Sequence, residues 1–133
     1  MYSYLLSHKK YLINIPLIIY WVILFILTSL PTGLAIVTQD ISDKVIHFGA
    51  YGLLSVFLYL QFYFQKKIKV AKMYPAVFTV LLASCYGIFD EIHQIIVPGR
   101  SCEFYDWLAD FSGSLVAVLL TSFLLKQIRE KAK

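Results

Sequence analysis

The residues best suited to chemistry lie in one short stretch in the second half of an otherwise apolar sequence. Asp90, Glu91, His93 and Gln94 occur there within five positions, preceded by Tyr86. On a helix, Asp90, His93 and Gln94 share one face, because residues three and four positions apart are neighbours. Tyr86 lies one turn before Asp90 on that face, and Glu91 lies on the adjoining stripe. An ionisable side chain inside a membrane helix costs about 2.5–3.5 kcal/mol on insertion scales, so such a group indicates a function.

The composition indicates an integral membrane protein. Of the 133 residues, 59% are hydrophobic and 15% are charged, whereas a soluble domain is about 25% charged. The apolar residues form long runs and do not follow the faces of soluble helices or strands. The net charge of +4 is better explained by membrane topology than by a nucleic-acid partner, and we expect none. Cys85 and Cys102 are too few for a disulfide framework, and we expect both to be unpaired.

Four apolar runs predict four transmembrane helices in a single domain that covers residues 1–133. The predicted helices cover about residues 11–30, 44–64, 73–97 and 104–125. The first run is longer than the core of a signal peptide, about 7–15 residues, and no Ala-x-Ala site follows it. We therefore expect an uncleaved first helix and an all-α fold, an integral membrane four-helix bundle.

The basic residues predict an orientation with both termini inside the cell. Of the twelve Lys and Arg residues, ten lie on the side of the two termini and the middle loop, and Lys44 and Arg100 lie on the other side. By the positive-inside rule, the side with ten is cytoplasmic. The polar groups of the last three helices then lie near the extracytoplasmic end of the bundle.

We expect these polar groups to converge in one pocket, because each lies about one turn below the outer interface. The candidate catalytic residues are His47, Asp90, Glu91 and His93. The candidate substrate-binding residues are Asp43, Lys44, Tyr86, Gln94, Arg100, Ser101, Asp106 and Asp110.

Three kinds of chemistry fit these residue types. His47, His93 and nearby carboxylates could hold a divalent ion, but the sequence has no HExxH or CxxC motif, so we assign no metal ligand and leave the cofactor open. A histidine beside a carboxylate is the usual proton-transfer pair, and Arg100 in a Pro-Gly-Arg-Ser turn could bind the phosphate of a lipid-linked headgroup. Binding or transport without catalysis also fits, although four helices without an inverted repeat argue against a transporter that acts as a monomer.

A purely structural role is the alternative for many of the same groups. Asp90 or Asp106 would then pair with Arg100, and Asp43 and Ser101 would cap helices. Whether the chain is an enzyme therefore stays open at this point.

Small residues predict close packing between helices. Gly49, Gly52 and Ser55 follow one another at three-residue steps, and Gly113 and Ala117 are four positions apart. Small side chains at such spacing allow the backbones of two membrane helices to approach. Asp40 and Asp43 have the spacing of an N-cap and its N3 residue at the start of the second helix.

The polar motifs together resemble the VanZ-like family, small membrane proteins named for a teicoplanin-resistance protein. Four blocks carry the resemblance: Asp43-Lys44-x-x-His47-Phe48, Tyr86-Gly87-x-x-Asp90-Glu91-x-His93-Gln94, Pro98-Gly99-Arg100-Ser101 and Asp106-x-x-x-Asp110. They occur in the family's order and cover nearly the whole chain after the first helix. At the position of Asp110 the family often has asparagine.

The resemblance implies a multi-pass protein of the bacterial cytoplasmic membrane that acts on the cell envelope and contributes to resistance against teicoplanin-type lipoglycopeptides, by a mechanism that it does not supply. The implied partners are the lipid bilayer, a lipid-linked cell-wall precursor or glycopeptide-related ligand, and further copies of the chain in an oligomer. The alternative function is a membrane-embedded hydrolase or transferase that acts on phosphate-containing or lipid-linked cell-wall substrates.

Overall fold

The computed structural model describes Tyr4, residues 7–31 and residues 41–131. Helices and their connecting turns make up this part of the chain, and no strand occurs within it. Asp40, an expected helix cap, lies outside the described residues. The helices are α1 (Ile15–Thr28), which continues a π-helical segment over Lys10–Asn14, then α2 (Ile41–Phe64), α3 (Lys69–Met73), α4 (Pro75–Gln94) and α5 (Phe104–Glu130).

Four of these segments are long and apolar enough to cross a membrane. They are Lys10–Thr28, Asp43–Phe64, Pro75–Gln94 and Phe104–Glu130. A helix rises 1.5 Å per residue, so about 20 residues span a hydrocarbon core of about 30 Å. Large apolar side chains such as Ile18, Leu119 and Phe123 are exposed on the outside of the bundle, where lipid would cover them. The predicted all-α membrane bundle is therefore confirmed.

Several helix ends differ from the predicted ones. Helix α2 already begins at Ile41, which places Asp43 in its first turn. Helix α4 ends at Gln94, because Pro98 and Gly99 follow and the backbone of Gly99 takes a positive φ of 79°, which ends regular helix. Helix α5 continues to Glu130, since its charged and amide-bearing last turns are made of good helix formers.

The backbones of α2 and α5 come into direct contact. A Cβ atom built on Gly113 would overlap the carbonyl oxygen of Phe48, and one on Gly52 would lie 3.5 Å from the carbonyl oxygen of Gly113. Gly113 therefore fixes how closely the two helices approach. A Cβ atom on Gly49 would meet nothing within 4 Å, so Gly49 does not take part in this contact.

Polar side chains also join the helices below the level of the charged groups. The hydroxyl oxygens of Ser55 and Ser114 lie 2.5 Å apart between α2 and α5. The Tyr20 hydroxyl of α1 donates to the carbonyl oxygen of Ala50 at 3.0 Å. In an apolar surrounding, hydrogen bonds of this kind hold helices at a fixed register.

The described cations are divided between the two ends of the bundle. At the basic end lie Lys9, Lys10, Lys66, Lys67, Lys69, Lys72, Lys126, Arg129 and Lys131. The opposite end, which we call the polar end, is formed by the first turns of α2 and α5, the last turns of α4 and the loop over residues 95–103. Its described cations are Lys44 and Arg100.

We predict that the polar end faces the outside of the cell, because few cations lie there. Cys102 is exposed in the loop of this end and serves as a native reporter in a Cys85→Ser chain. A membrane-impermeant thiol reagent added to intact cells should label it. The same reagent should not label a chain in which both native cysteines are serine and Lys69 at the basic end is cysteine. Labelling of Lys69→Cys but not of Cys102 would show that the basic end faces the outside and would contradict the prediction.

Candidate functional site

Three buried side chains from three helices meet at the polar end. We call His47 of α2, Glu91 of α4 and Asp110 of α5 the inner cluster. Their exposed fractions are 7%, 3% and 0%. His47 Nδ1 lies 2.9 Å from Asp110 Oδ1, and one metal-binding atom from each of the three lies within 4.8 Å of the others. A histidine and two carboxylates therefore lie close together inside the bundle.

The space for the inner cluster comes from Gly87, one turn before Glu91 on α4. A Cβ atom at this position would lie 3.1 Å from Asp110 Oδ2 and 3.3 Å from Cδ1 of Trp107. The indole of Trp107 is itself fixed, because its Nε1 donates to the carbonyl oxygen of Ser84 at 3.3 Å. Glycine at position 87 thus lets α5 bring Asp110 against the backbone of α4.

Glu91 also closes the start of α5. Its Oε2 accepts a hydrogen bond of 2.7 Å from the backbone N–H of Glu103, the residue that precedes the first turn of α5. A carboxylate is favourable at this place, because the amino end of a helix has unpaired N–H groups and a partial positive charge. The other oxygen, Oε1, has no hydrogen-bond partner among the described residues.

A second layer of charges lies above the inner cluster, and we call Lys44, Glu103 and Asp106 the outer layer. Lys44 Nζ lies 2.6 Å from Asp106 Oδ1 and 3.0 Å from Glu103 Oε2. The side chain of Asp106 is 4% exposed, whereas those of Lys44 and Glu103 are 38% and 41% exposed. Asp43 and Asp106 also lie within 4.8 Å of His47, measured between their metal-binding atoms.

The hydrogen bond from Lys44, with its charge, lowers the pKa of Glu103 below its usual value. This contact stabilises the fold above the usual pKa of a glutamate, and the contribution is lost as the pH falls through the lowered pKa. Its size is small because both side chains are partly exposed to solvent.

Asp90 lies beside the inner cluster in a second group of buried polar side chains. It faces Tyr51 and Tyr86, whose ring centroids are 5.9 Å apart. Several buried polar atoms of this group make no well-aligned hydrogen bond with the described residues. They are both carboxylate oxygens of Asp90, the hydroxyls of Tyr51 and Tyr86, and Nε2 of Gln94. Thr28, Tyr51 and Gln94 nevertheless lie within hydrogen-bonding range of Asp90, so these side chains form a polar network between α1, α2 and α4.

His93 does not join the inner cluster. Its Nε2 lies 3.0 Å from the hydroxyl oxygen of Ser29, just after α1. Its ring stacks on Phe89 with centroids 6.2 Å apart and lies 5.1 Å from the ring of Phe25. His47 and His93 therefore contact different neighbours, and His93 connects α4 to α1.

The loop residues Arg100 and Ser101 also lie apart from the inner cluster. Arg100 Nε donates to the carbonyl oxygen of Leu30 at 3.4 Å, and the Ser101 hydroxyl donates to Glu103 Oε1 at 3.2 Å. Within the described residues Arg100 forms no ion pair. The structural alternative in which Asp90 or Asp106 pairs with Arg100 is therefore wrong, since Lys44 is the partner of Asp106.

Two residues of this region were not among the candidates from sequence. Gly87 is needed for the approach of Asp110, and its position one turn before Glu91 is a signal that would have found it. Ser29 is the partner of His93 and follows a helix without ionisable groups, so no pattern in the sequence marks it.

Four helices that are long and apolar enough to cross a membrane, with buried carboxylates and a histidine at one end, define the class of multi-pass α-helical membrane proteins. The sequence profile of the VanZ/LLP1 family matches residues 5–125. The chain therefore belongs to this family, and the resemblance read from its four motif blocks is confirmed. No curated protein and no solved structure was found to match the chain.

Proposed function

We propose that the chain is a protein of the bacterial cytoplasmic membrane that acts on the cell envelope from the extracytoplasmic side and contributes to resistance against teicoplanin-type lipoglycopeptides. Its membership of the VanZ/LLP1 family supports the proposal. The observation that carries a functional site is the inner cluster, in which three helices each bury one ionisable side chain at the same end of the bundle. If these positions served only to pack the helices together, apolar side chains would do so at a lower free-energy cost than buried ionisable groups.

The proposed ligand is a lipid-linked cell-wall precursor or a glycopeptide-related molecule that reaches the polar end from the bilayer. Lys44 supports this part of the proposal, because its side chain is 38% exposed and lies at the rim above the buried carboxylates. In this proposal His47, Asp90, Glu91 and His93 act on the ligand, and Lys44 and Asp106 of the outer layer help to bind it. Assembly into an oligomer would bring several such sites together.

A resistance assay tests this function directly. A teicoplanin-susceptible host that expresses the chain should show a reproducible rise in the minimal inhibitory concentration of teicoplanin over the same host with an empty vector. A second control expresses an unrelated membrane protein at matched abundance, which accounts for general stress on the membrane. An unchanged inhibitory concentration, with the chain shown to be present in the membrane, would contradict the proposal.

The second candidate function is a hydrolase or transferase that acts on phosphate-containing or lipid-linked cell-wall substrates. The contact between His47 and Asp110 favours it, because a buried carboxylate 2.9 Å from one imidazole nitrogen orients the ring and leaves the other nitrogen for proton transfer. Phosphate release from lipid-linked precursors by the purified chain, and its loss in His47→Gln, would support this function over binding alone.

A further inference from the structure

The polar end buries more negative than positive charge. Asp90, Glu91, Asp106 and Asp110 are all at most 3% exposed. Among the described residues, Lys44 is the cation that pairs with one of them, Asp106, and the imidazole of His47 contacts Asp110 and carries a charge only when it is protonated. Buried carboxylates are otherwise stabilised by a proton or by a metal ion.

Two carboxylate oxygens of the inner cluster are left without partners by this arrangement. Glu91 uses Oε2 to accept the N–H of Glu103, and Asp110 uses Oδ1 to contact His47. The remaining oxygens, Glu91 Oε1 and Asp110 Oδ2, are buried and have no hydrogen-bond partner among the described residues. Each acid therefore keeps one buried oxygen that no described residue pairs with.

The spacing of the cluster is close to that of ligands around a single ion. With ligand distances of about 2.0–2.2 Å, neighbouring ligand atoms around one tetrahedral ion lie about 3.3–3.6 Å apart. His47 Nδ1 and Asp110 Oδ1 are 2.9 Å apart, and the three groups offer ligand atoms that all lie within 4.8 Å of one another.

We propose that His47, Glu91 and Asp110 bind one divalent transition-metal ion, Zn²⁺ or Mn²⁺. The imidazole nitrogen favours Zn²⁺ over Mg²⁺ and Ca²⁺, which take oxygen ligands, and the two carboxylates also suit Mn²⁺. Three protein ligands leave a coordination position open, as in catalytic zinc sites, whereas structural zinc sites have four protein ligands. An ion at this place also gives an acidic site the positive charge that a phosphate group requires. The inference does not depend on the resistance role.

Metal binding by the purified full-length chain tests the site. The protein in detergent is stripped with a chelator, incubated with ZnCl₂, MnCl₂ or MgCl₂, and freed of unbound ion. We expect about one Zn²⁺ or Mn²⁺ per chain by elemental analysis, a higher midpoint of thermal unfolding with the bound ion, and neither effect with Mg²⁺. A folded chain that retains no Zn²⁺ and no Mn²⁺ would overturn the proposal, and its carboxylates would then be stabilised by protons.

Matched variants separate the proposed ligands from the other acids of the polar end. Glu91→Gln and Asp110→Asn should each weaken Zn²⁺ binding by more than about tenfold. Loss of a residue that only hydrogen-bonds to a metal ligand already weakens binding by about that much, and these variants remove a ligand itself. Glu103→Gln should bind as tightly as the unchanged chain, since its half-exposed carboxylate lies outside the inner cluster. Unchanged affinity in both Glu91→Gln and Asp110→Asn would contradict the assigned ligands.

A spectroscopic variant keeps the test independent of stability. In His47→Cys loaded with Co²⁺, a thiolate ligand should add a sulfur-to-cobalt charge-transfer band in the near ultraviolet that the unchanged chain lacks. Appearance of this band assigns position 47 as a ligand. Binding of Co²⁺ to His47→Cys without the band would remove His47 from the site.

Discussion

The Asp90→Asn and Glu91→Gln variants should reduce teicoplanin resistance to the level of the empty vector while they accumulate in the membrane like the unchanged chain. Each substitution keeps the size of the side chain and removes its charge. A glutamine at position 91 also keeps an oxygen for the backbone N–H of Glu103, which now bonds to Glu91 at 2.7 Å. A neutral amide is cheaper to hold at this depth than a carboxylate, by up to about 2.5–3.5 kcal/mol on insertion scales.

Inhibitory concentration and membrane abundance should be measured together in these strains. Glu103→Gln is the matched control, because it removes a carboxylate from the same end that is 41% exposed and pairs with Lys44 at the surface. Resistance should persist in the control. If both Asp90→Asn and Glu91→Gln remain fully resistant at equal abundance, the buried carboxylates serve only the scaffold.

Replacement of Gly113 by alanine is expected to give the largest loss of stability. The new Cβ atom would overlap the carbonyl oxygen of Phe48, and a backbone atom cannot move aside as a flexible side chain can. Separation of α2 and α5 would also lengthen the contact between the hydroxyls of Ser55 and Ser114, now 2.5 Å. Overpacking of this kind costs about 1–3 kcal/mol, which outweighs the gain in helix propensity from glycine to alanine, about 1 kcal/mol.

Thermal unfolding of the purified variants in detergent measures this effect. Gly49→Ala is the control on the facing helix, since its Cβ atom would meet nothing within 4 Å. It should unfold at the same temperature as the unchanged chain or slightly above it. If Gly113→Ala and Gly49→Ala unfold at the same temperature, α2 and α5 do not make the described backbone contact.

The class of fold could be predicted from the sequence because the bilayer imposes it. A membrane span needs about 20 apolar residues in a helix, since no other open structure satisfies its backbone in lipid. Four such runs are visible in the sequence, and four helices in the part of the chain that the structure describes meet the requirement. The helix ends could not be predicted in the same way, because helix α5 continues beyond its apolar run into charged residues that favour helix.

Relationships within one helix could also be read from spacing. Asp106 and Asp110 lie four positions apart and both are buried, as a shared helical face requires. Gly87 and Glu91 have the same spacing and both belong to the buried side of α4. Membership of the VanZ/LLP1 family followed from four short blocks of such residues.

The sequence by itself determined four membrane helices, the family, and which acidic and histidine side chains lie together at the polar end. These features depend on local composition and on a helical period of 3.6 residues. Only the tertiary structure decided the partners: His47 contacts Asp110, Lys44 rather than Arg100 pairs with Asp106, and His93 contacts Ser29. The physical reason is that lipid and protein interior are both apolar, so hydrophobicity does not set the rotation of a membrane helix about its axis. Close backbone contacts such as that of Gly113 with Phe48 set it, and they arise only when two helices meet.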